Sequence, residues 1–466
     1  MKKTKFALYF GNRGFFPGSL IAGAREELKE TVEKLGFETL IMDEDATRYG
    51  AVETAEEGRR YAAFLEENRG NYDGVILCLP NFGDENGAIA ALRDCGVPIL
   101  IQAYPDEIGK MDFANRRDSY CGKFSIMDVF YQHKLPFTVY KPHVVHPKSE
   151  EFGKHVLDFA AVCRVVKSMK RFSVGAIGAR TTAFKTVRFD ELALQKYGIT
   201  TETFDLSELF MRIKNIKAES DRFIEKRDHL SKYANWGGVP DGKLETLSKL
   251  AVAVDDLIDE YKLDTIALRC WDEIEKELRV SPCVILSELN DRGIAASCEL
   301  DVCNAVAMHA LSAASQVPAT VLDWNNNYGD DDDKCILFHC GPVPQKLMEG
   351  KGQIVEHKMF AKSYGAGCGW GCNVGRIAAS PMTYASAKTE DGKLAFYLGE
   401  GRITGEPVEE EFFGTAGVAE IENLQDKLLV IGKTGYRHHV GVTFGHLAGP
   451  IEEAFKTYLG YETLRF

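Results

Sequence analysis

Two carboxylates and a pair of histidines stand where this chain could do chemistry. Glu299 directly follows the apolar segment Ala295–Cys298, and Asp323 directly follows Ala319–Leu322; each segment reads as a short strand. Val302–Ala314 joins them, a length suited to a helical crossover between parallel neighbours. The two strands are therefore expected side by side, with both carboxylates at one C-terminal sheet edge. Carboxylates so placed hold a hard divalent cation through oxygen, or move protons. His438-His439 heads a further strand, His439–Phe444, where alternation turns one imidazole into a site and the other away. One imidazole, two carboxylates and open positions make a reasonable catalytic metal centre. A carboxylate after a strand is equally the usual N-cap of the next helix. Spacing alone leaves both readings open.

The elements that must position these groups follow from the hydrophobic pattern. In residues 1–170, Phe6–Phe10, Thr39–Met42, Gly74–Leu79 and Val97–Ile101 read as strands. Helices separate them, one capped by Ser19 and running to Lys34, another over Glu53–Glu67. That alternation implies a parallel sheet covered on both faces. A second α/β unit, 171–340, starts with strand Phe172–Ile177 and the loop Gly178-Ala-Arg-Thr-Thr-Ala-Phe. It continues through Thr200–Asp205, a helical stretch over 207–261, Thr265–Arg269 and helix Cys283–Asp291. From 341 to 466 Gly and β-formers dominate. Lys393–Leu398 and Lys427–Ile431 read as turn-bounded strands, with a terminal helix at Pro450–Leu459. The expected fold is α/β: two Rossmann-like parallel-sheet domains, then a β-rich, antiparallel, barrel-like C-terminal domain.

Three segments carry a family resemblance: Ser297-Cys-Glu-Leu-Asp-Val-Cys-Asn-Ala, Val321-Leu-Asp-Trp-Asn-Asn-Asn-Tyr and Gly435-Tyr-Arg-His-His-Val. Together they resemble the L-fucose isomerase family, with L-arabinose isomerase more distant, and the Gly178–Phe184 loop resembles the opening of that family's second domain. The resemblance implies an aldose–ketose isomerase working through a cis-enediol on an unphosphorylated hexose or pentose. It implies a catalytic Mn²⁺ (Mg²⁺ or Co²⁺ as substitutes) held by Glu299, Asp323 and His439, with the two carboxylates also shuttling protons. His339, 16 residues after Asp323, falls near another metal-ligating His of the arabinose isomerase branch. His339 and His438 are thus further candidates for the metal or its surroundings. The resemblance also implies a homo-oligomer with active sites near subunit interfaces.

Substrate contacts are expected from Arg13 and Phe16, in the loop after the first strand, and from Arg180, Trp271, Trp324 and Asn325. Surplus arginine suits an anionic sugar such as a sulfonated hexose, sulfoquinovose included, because its planar fork matches oxyanions. Two other readings are a non-catalytic two-lobed sugar-binding protein and a cysteine-ligated redox enzyme.

Composition excludes several classes. The 466 residues carry 56 Lys+Arg against 69 Asp+Glu, a net charge of −13 that argues against a nucleic-acid surface. No apolar stretch is long enough for a membrane span. The N-terminal apolar run, Phe6–Phe10, is too short for a signal-peptide core. Twelve cysteines then read as reduced thiols of a cytoplasmic protein. Cys368-Gly-Trp-Gly-Cys372 lacks two further cysteines at cofactor spacing, Cys335 and Cys340 being the nearest. The glycine-rich loops at Gly11 and Gly178 match no nucleotide-binding pattern.

Overall fold

A computed structural model describes residues 3–466. The chain divides into two compact units: Met1–Lys167 with Glu453–Gly460, and Ser168–Glu452 with Tyr461–Phe466.

In the first unit, strands β1 (Lys5–Phe10), β2 (Glu38–Ile41), β3 (Gly74–Leu79) and β4 (Ile99–Ala103) form a parallel sheet of order β2-β1-β3-β4. Every residue of β3 is buried, as a strand covered on both faces requires. Tyr9, Leu77, Ile101 and Phe130 join the core on one side of the sheet. The helix after β1 spans Ser19–Lys34, but its N-cap is Gly18 with no side-chain hydrogen bond. Ser19 is the first helical residue, not the expected cap.

The second unit holds a four-stranded parallel sheet: β5 (Phe172–Ile177), β6 (Ile199–Phe204), β7 (Thr265–Leu268) and β8 (Ala295–Ser297), in the order β6-β5-β7-β8. Helix Val302–Ser315 leads out of β8. It does not return the chain to the same sheet. The next strand, β9 (Thr320–Asn327), pairs antiparallel with β10 (Lys334–His339) and with β16 (His439–Phe444). The expected parallel pairing of the Ala295 and Ala319 segments is therefore overturned. A helix of crossover length can also hand the chain to another sheet, and here it does.

That other sheet has nine strands, completed by β11 (Gln353–Glu356), β12 (Trp370–Arg376), β13 (Ser380–Glu390), β14 (Lys393–Ile403), β15 (Thr415–Glu420) and β17 (Glu462–Arg465). The order is β11-β12-β15-β10-β9-β16-β13-β14-β17, and β14 also pairs with β15. This extra pairing closes β15-β10-β9-β16-β13-β14 into a six-stranded ring, the barrel-like body the sequence leads one to expect. Leu322, Trp324, Leu337, Tyr384, Tyr397 and Val440 pack together in its core.

Two details of this region differ from expectation. Lys427–Ile431 is not a strand but part of helix Leu424–Lys433. Leu424, Leu428 and Ile431 face the core at helical spacing while Leu429 and Val430 are exposed, so the β-branched pair misleads. Helix Lys358–Tyr364 also interrupts the β-rich half. The terminal helical segment runs Ala448–Glu453 and continues as a π-helix over Ala454–Leu459.

Candidate active site

β9 and β16 set the first two groups of the site. His439 and Asp323 are direct cross-strand partners in the antiparallel register. They alternate with Leu322, Trp324, Val440 and Val442, which fill the ring's core, so both side chains leave by its outer face. β10, on the other side of β9, ends at His339. Glu299 arrives separately, from the segment after β8. Glu299 and Leu300 both adopt left-handed backbone, at φ of 60° and 62°. For residues other than glycine this costs on the order of 1–3 kcal/mol each and is kept where function demands it.

These groups meet around His439 in two overlapping sets. His439 Nε2 lies 3.2 Å from Glu299 Oε2 and 3.5 Å from Asp323 Oδ1. Ligand atoms of Glu299, His339 and His439 all fall within 4.8 Å of one another, as do those of Asp323, His438 and His439. His438 lies just before β16, where alternation has not begun, and so does not point away as expected. Its Nε2 is 3.8 Å from Asp323 Oδ1, and the ring is partly solvent-exposed. The N-cap reading of Glu299 is also resolved: Asp301 accepts from the Asn304 backbone N–H and caps the following helix.

Asp301 is the residue that sequence reasoning passed over. Fully buried, it accepts from His439 Nδ1–H at 2.9 Å and pairs with the buried Arg437 guanidinium. That bond fixes the imidazole so that Nε2 faces the other carboxylates. Burial raises the energy of a charged Asp301, but Arg437 and His439 outweigh it and hold its carboxyl well below the usual carboxylate range. Burial likewise opposes a charge on His439, and the Asp301 and Glu299 carboxylates overcome it, raising the imidazole well above its ordinary value. Glu299 is lowered against its own burial by His439, with smaller contributions from His339 and His438.

Three of the converging atoms are buried without a hydrogen-bond partner: Asp323 Oδ1, His339 Nε2 and His439 Nε2. Buried polar atoms are nearly always satisfied, so a cluster of orphans points to a missing partner. The nearest donor separations approach the roughly 3 Å expected between adjacent ligands of a cation with bonds of about 2.1 Å. Oxygen and imidazole donors together suit a divalent first-row ion. The residues present therefore fit a metal.

The remaining candidates are spread more widely. Trp271 joins the site's wall: Phe184, from the loop after β5, packs its ring against Trp271, His438 and His439 at centroid distances of 5.6–5.8 Å. Phe184 was not singled out in the sequence, although it closes the resembling loop. In that same loop Arg180 donates, among the described residues, to the carbonyls of Thr181 and Thr182. Trp324 is turned into the ring's core, its indole N–H donating to Tyr397. Asn325 is exposed and occupies a bulge, since Leu337 pairs with Trp324 and Ile336 with Asn326. Arg13 and Phe16 belong to the first unit, where Arg13 pairs with Glu85 and lies over the Phe82 ring.

Behind Glu299 lies a cavity of about 150 Å³ whose wall includes Trp271, Glu275, His339 and His357. Glu275 is fully buried with Oε2 unpartnered; burial pushes its carboxyl up to about 8. Cysteines 270, 283, 298 and 340 also line it, with Met359 and Phe360. All twelve cysteines are free thiols, and ten are buried. Cys368 donates to the Glu275 carbonyl.

Comparison with known proteins points to one family. A domain model described as fucose/sulfoquinovose isomerase, N-terminal domain, matches residues 7–170, and one described as L-fucose isomerase, C-terminal domain, matches residues 337–465. The latter includes His339 and His439, while Glu299 and Asp323 fall between the two. A sulfoquinovose isomerase of Priestia aryabhattai is 22% identical over 387 residues, 82% of this chain and 83% of that protein. Sulfoquinovose isomerases of Alkalicoccus urumqiensis and a Clostridium species are each 23% identical, covering 60% and 64% of this chain and 62% and 66% of their own lengths. A solved Salmonella D-lactate dehydrogenase aligns with 67% of this chain and 95% of its own at 11% identity and a TM-score of 0.16. With the N-terminal and C-terminal domains matched to the same family, and relatives that are sulfoquinovose isomerases, the chain belongs to the L-fucose isomerase family of aldose–ketose isomerases.

Proposed function

We propose that this isomerase is metal-dependent, uses Mn²⁺, and interconverts an unphosphorylated aldose and ketose, with sulfoquinovose the first substrate to test. The observation that carries the reading is a pair of overlapping groups, Glu299–His339–His439 and Asp323–His438–His439, that share His439 and include three buried atoms left unpartnered. Glu299, Asp323 and His439 would hold the cation, with His339 as the fourth ligand. When bound, the cation supplies positive charge against the negative charge that develops on the sugar's O1 and O2.

The chain's own residues do the rest. Isomerisation moves one proton between C2 and C1 and another between their oxygens, so carboxylates flanking the enediol plane serve as base and acid. Glu299 and Asp323 take both roles as a coupled pair, with His439 between them. Asp301 and Arg437 hold His439 in the orientation that keeps Nε2 available. Phe184 and Trp271 shield one side from water. Two further features belong to this reading: a homo-oligomer with sites near subunit interfaces, and a cytoplasmic location.

Sulfoquinovose is favoured by the names of the relatives and by Arg180, which has no carboxylate partner among the described residues. Arg13 is the second candidate for the anion. The test is ketose formation from sulfoquinovose, L-fucose, L-arabinose and D-arabinose, followed by chromatography. Glu299→Gln and Asp323→Asn should each lower kcat at least ~10³-fold with an unchanged far-UV spectrum, removal of a general acid–base group alone being worth about 10²–10⁴. Activity retained in both variants would refute the assignment.

A further inference from the structure

The cysteine pair beside Glu299 has no part in the proposed chemistry, yet its geometry is specific. Cys270 and Cys298 are both buried, and their sulfurs lie 3.2 Å apart. They leave the ends of adjacent parallel strands, β7 and β8, where Ala267 pairs with Ser297. Continuing that register sets Cys298 level with Leu268 and Cys270 two residues further on, so the close approach is made by the side chains. We propose that Cys270 and Cys298 form a dithiol modification site, joined to a disulfide by a peroxide-class oxidant, and that closure reversibly switches off the isomerase site beside it.

Three observations support this. Both cysteines line the cavity beside Glu299, which gives a small oxidant a route to otherwise buried residues. Each cysteine directly precedes a residue of the site: Cys270 precedes Trp271, and Cys298 precedes Glu299. Finally, a bond of about 2.05 Å requires the sulfurs to approach by roughly 1.1 Å. The segment beyond Cys298 has little slack to absorb that movement, because Glu299 and Leu300 already hold left-handed backbone. The displacement is passed to the Glu299 carboxylate.

The chemistry balances with peroxide alone. One sulfur attacks a peroxide oxygen, becoming a sulfenic acid as one water leaves. The second thiol sulfur displaces the sulfenic hydroxyl, forming the S–S bond and releasing a second water. Two thiol hydrogens and two electrons pass to the peroxide. Burial pushes the Cys270 thiol up to about 11, so closure is slower than oxidation of the exposed Cys121.

The experiment treats the full, reduced chain with millimolar hydrogen peroxide, blocks remaining thiols with iodoacetamide, and maps the linked peptides by mass. A Cys270–Cys298 linkage is expected, with at least tenfold loss of isomerisation that dithiothreitol restores. Cys270→Ser and Cys298→Ser, made separately, should each stay active through the same treatment. The proposal is overturned if both thiols are still alkylated after activity is lost, or if the only linkage is between Cys283 and Cys372, whose thiols also hydrogen-bond to each other. It is also overturned if the linked form is fully active, or if both serine variants are inactivated as fast as the parent. The switching half rests on the isomerase reading. If the reduced chain isomerises no sugar, that reading fails, while the peptide map still decides whether the dithiol closes.

Discussion

Asp301 sits beneath His439 with Arg437 on its other side, so the imidazole's orientation depends on a buried ion pair. Asp301→Asn keeps the shape but removes the charge that stabilises the Nδ1–H. We expect metal affinity and kcat to fall about 10–100-fold, the usual cost of losing a residue that orients a ligand. Mn²⁺ titration followed by electron paramagnetic resonance would measure the first, and unchanged affinity would remove Asp301 from this role. Asp301 and Arg437 both lie within segments that carry the family resemblance, yet neither stands out there. Their importance comes from burial and aim, which residue type and spacing do not encode. Glu275 is a different case. Its carboxyl is raised by burial from 4.5 to about 8, so the folded state binds a proton that the unfolded state releases across that interval. Stability attributable to Glu275 therefore falls as pH rises from about 4.5 to 8, by at most about 5 kcal/mol. Glu275→Gln should raise the urea midpoint clearly at pH 9 and little at pH 5. An equal shift at both pH values would contradict this account.

The existence of elements was largely legible in the sequence, since strands β3 and β5 and helix Cys283–Asp291 fall at the expected residues. Strand partnership was not. The expectation that Glu299 and Asp323 share one sheet edge rested on a crossover helix, and the two carboxylates in fact come from different sheets. They meet because β16 sets His439 opposite Asp323, a pairing between residues more than a hundred positions apart that no local pattern records. The loop after β5 was legible as a motif but not in its parts: Phe184 reaches the histidines, whereas Arg180 bonds, among the described residues, to nearby carbonyls. If Arg180 contacts an anionic group, Arg180→Ala should raise KM for sulfoquinovose about 10–100-fold, as expected for a lost charge-assisted bond of ~1.5–3 kcal/mol. KM for a neutral sugar should change little. Steady-state kinetics on both sugars checks this, and equal losses on the two would remove Arg180 as the anion contact.

At the scale of the molecule, the proposed ligands all lie in the second compact unit, drawn from its parallel sheet and from its ring. A cation that binds the folded arrangement and not the unfolded chain stabilises it by mass action. Free Mn²⁺ at a hundred times its Kd should add about 2.7 kcal/mol, raising the melting temperature by roughly 5–10 °C, and a chelator should reverse the shift. Calorimetry with and without Mn²⁺ would decide, and indifference to both additions would rule out the metal centre.

The strand order also dictates when the site can come into being. β16 lies between β9 and β13, although it is made well after both. Until residues 439–444 leave the ribosome, β9 and β13 each present an unpaired edge, in a nascent chain whose apolar core residues are not yet covered. The strand that delivers His439 is thus also the one that seals the ring. A chain truncated before it would lack a proposed metal ligand and would aggregate through the same gap.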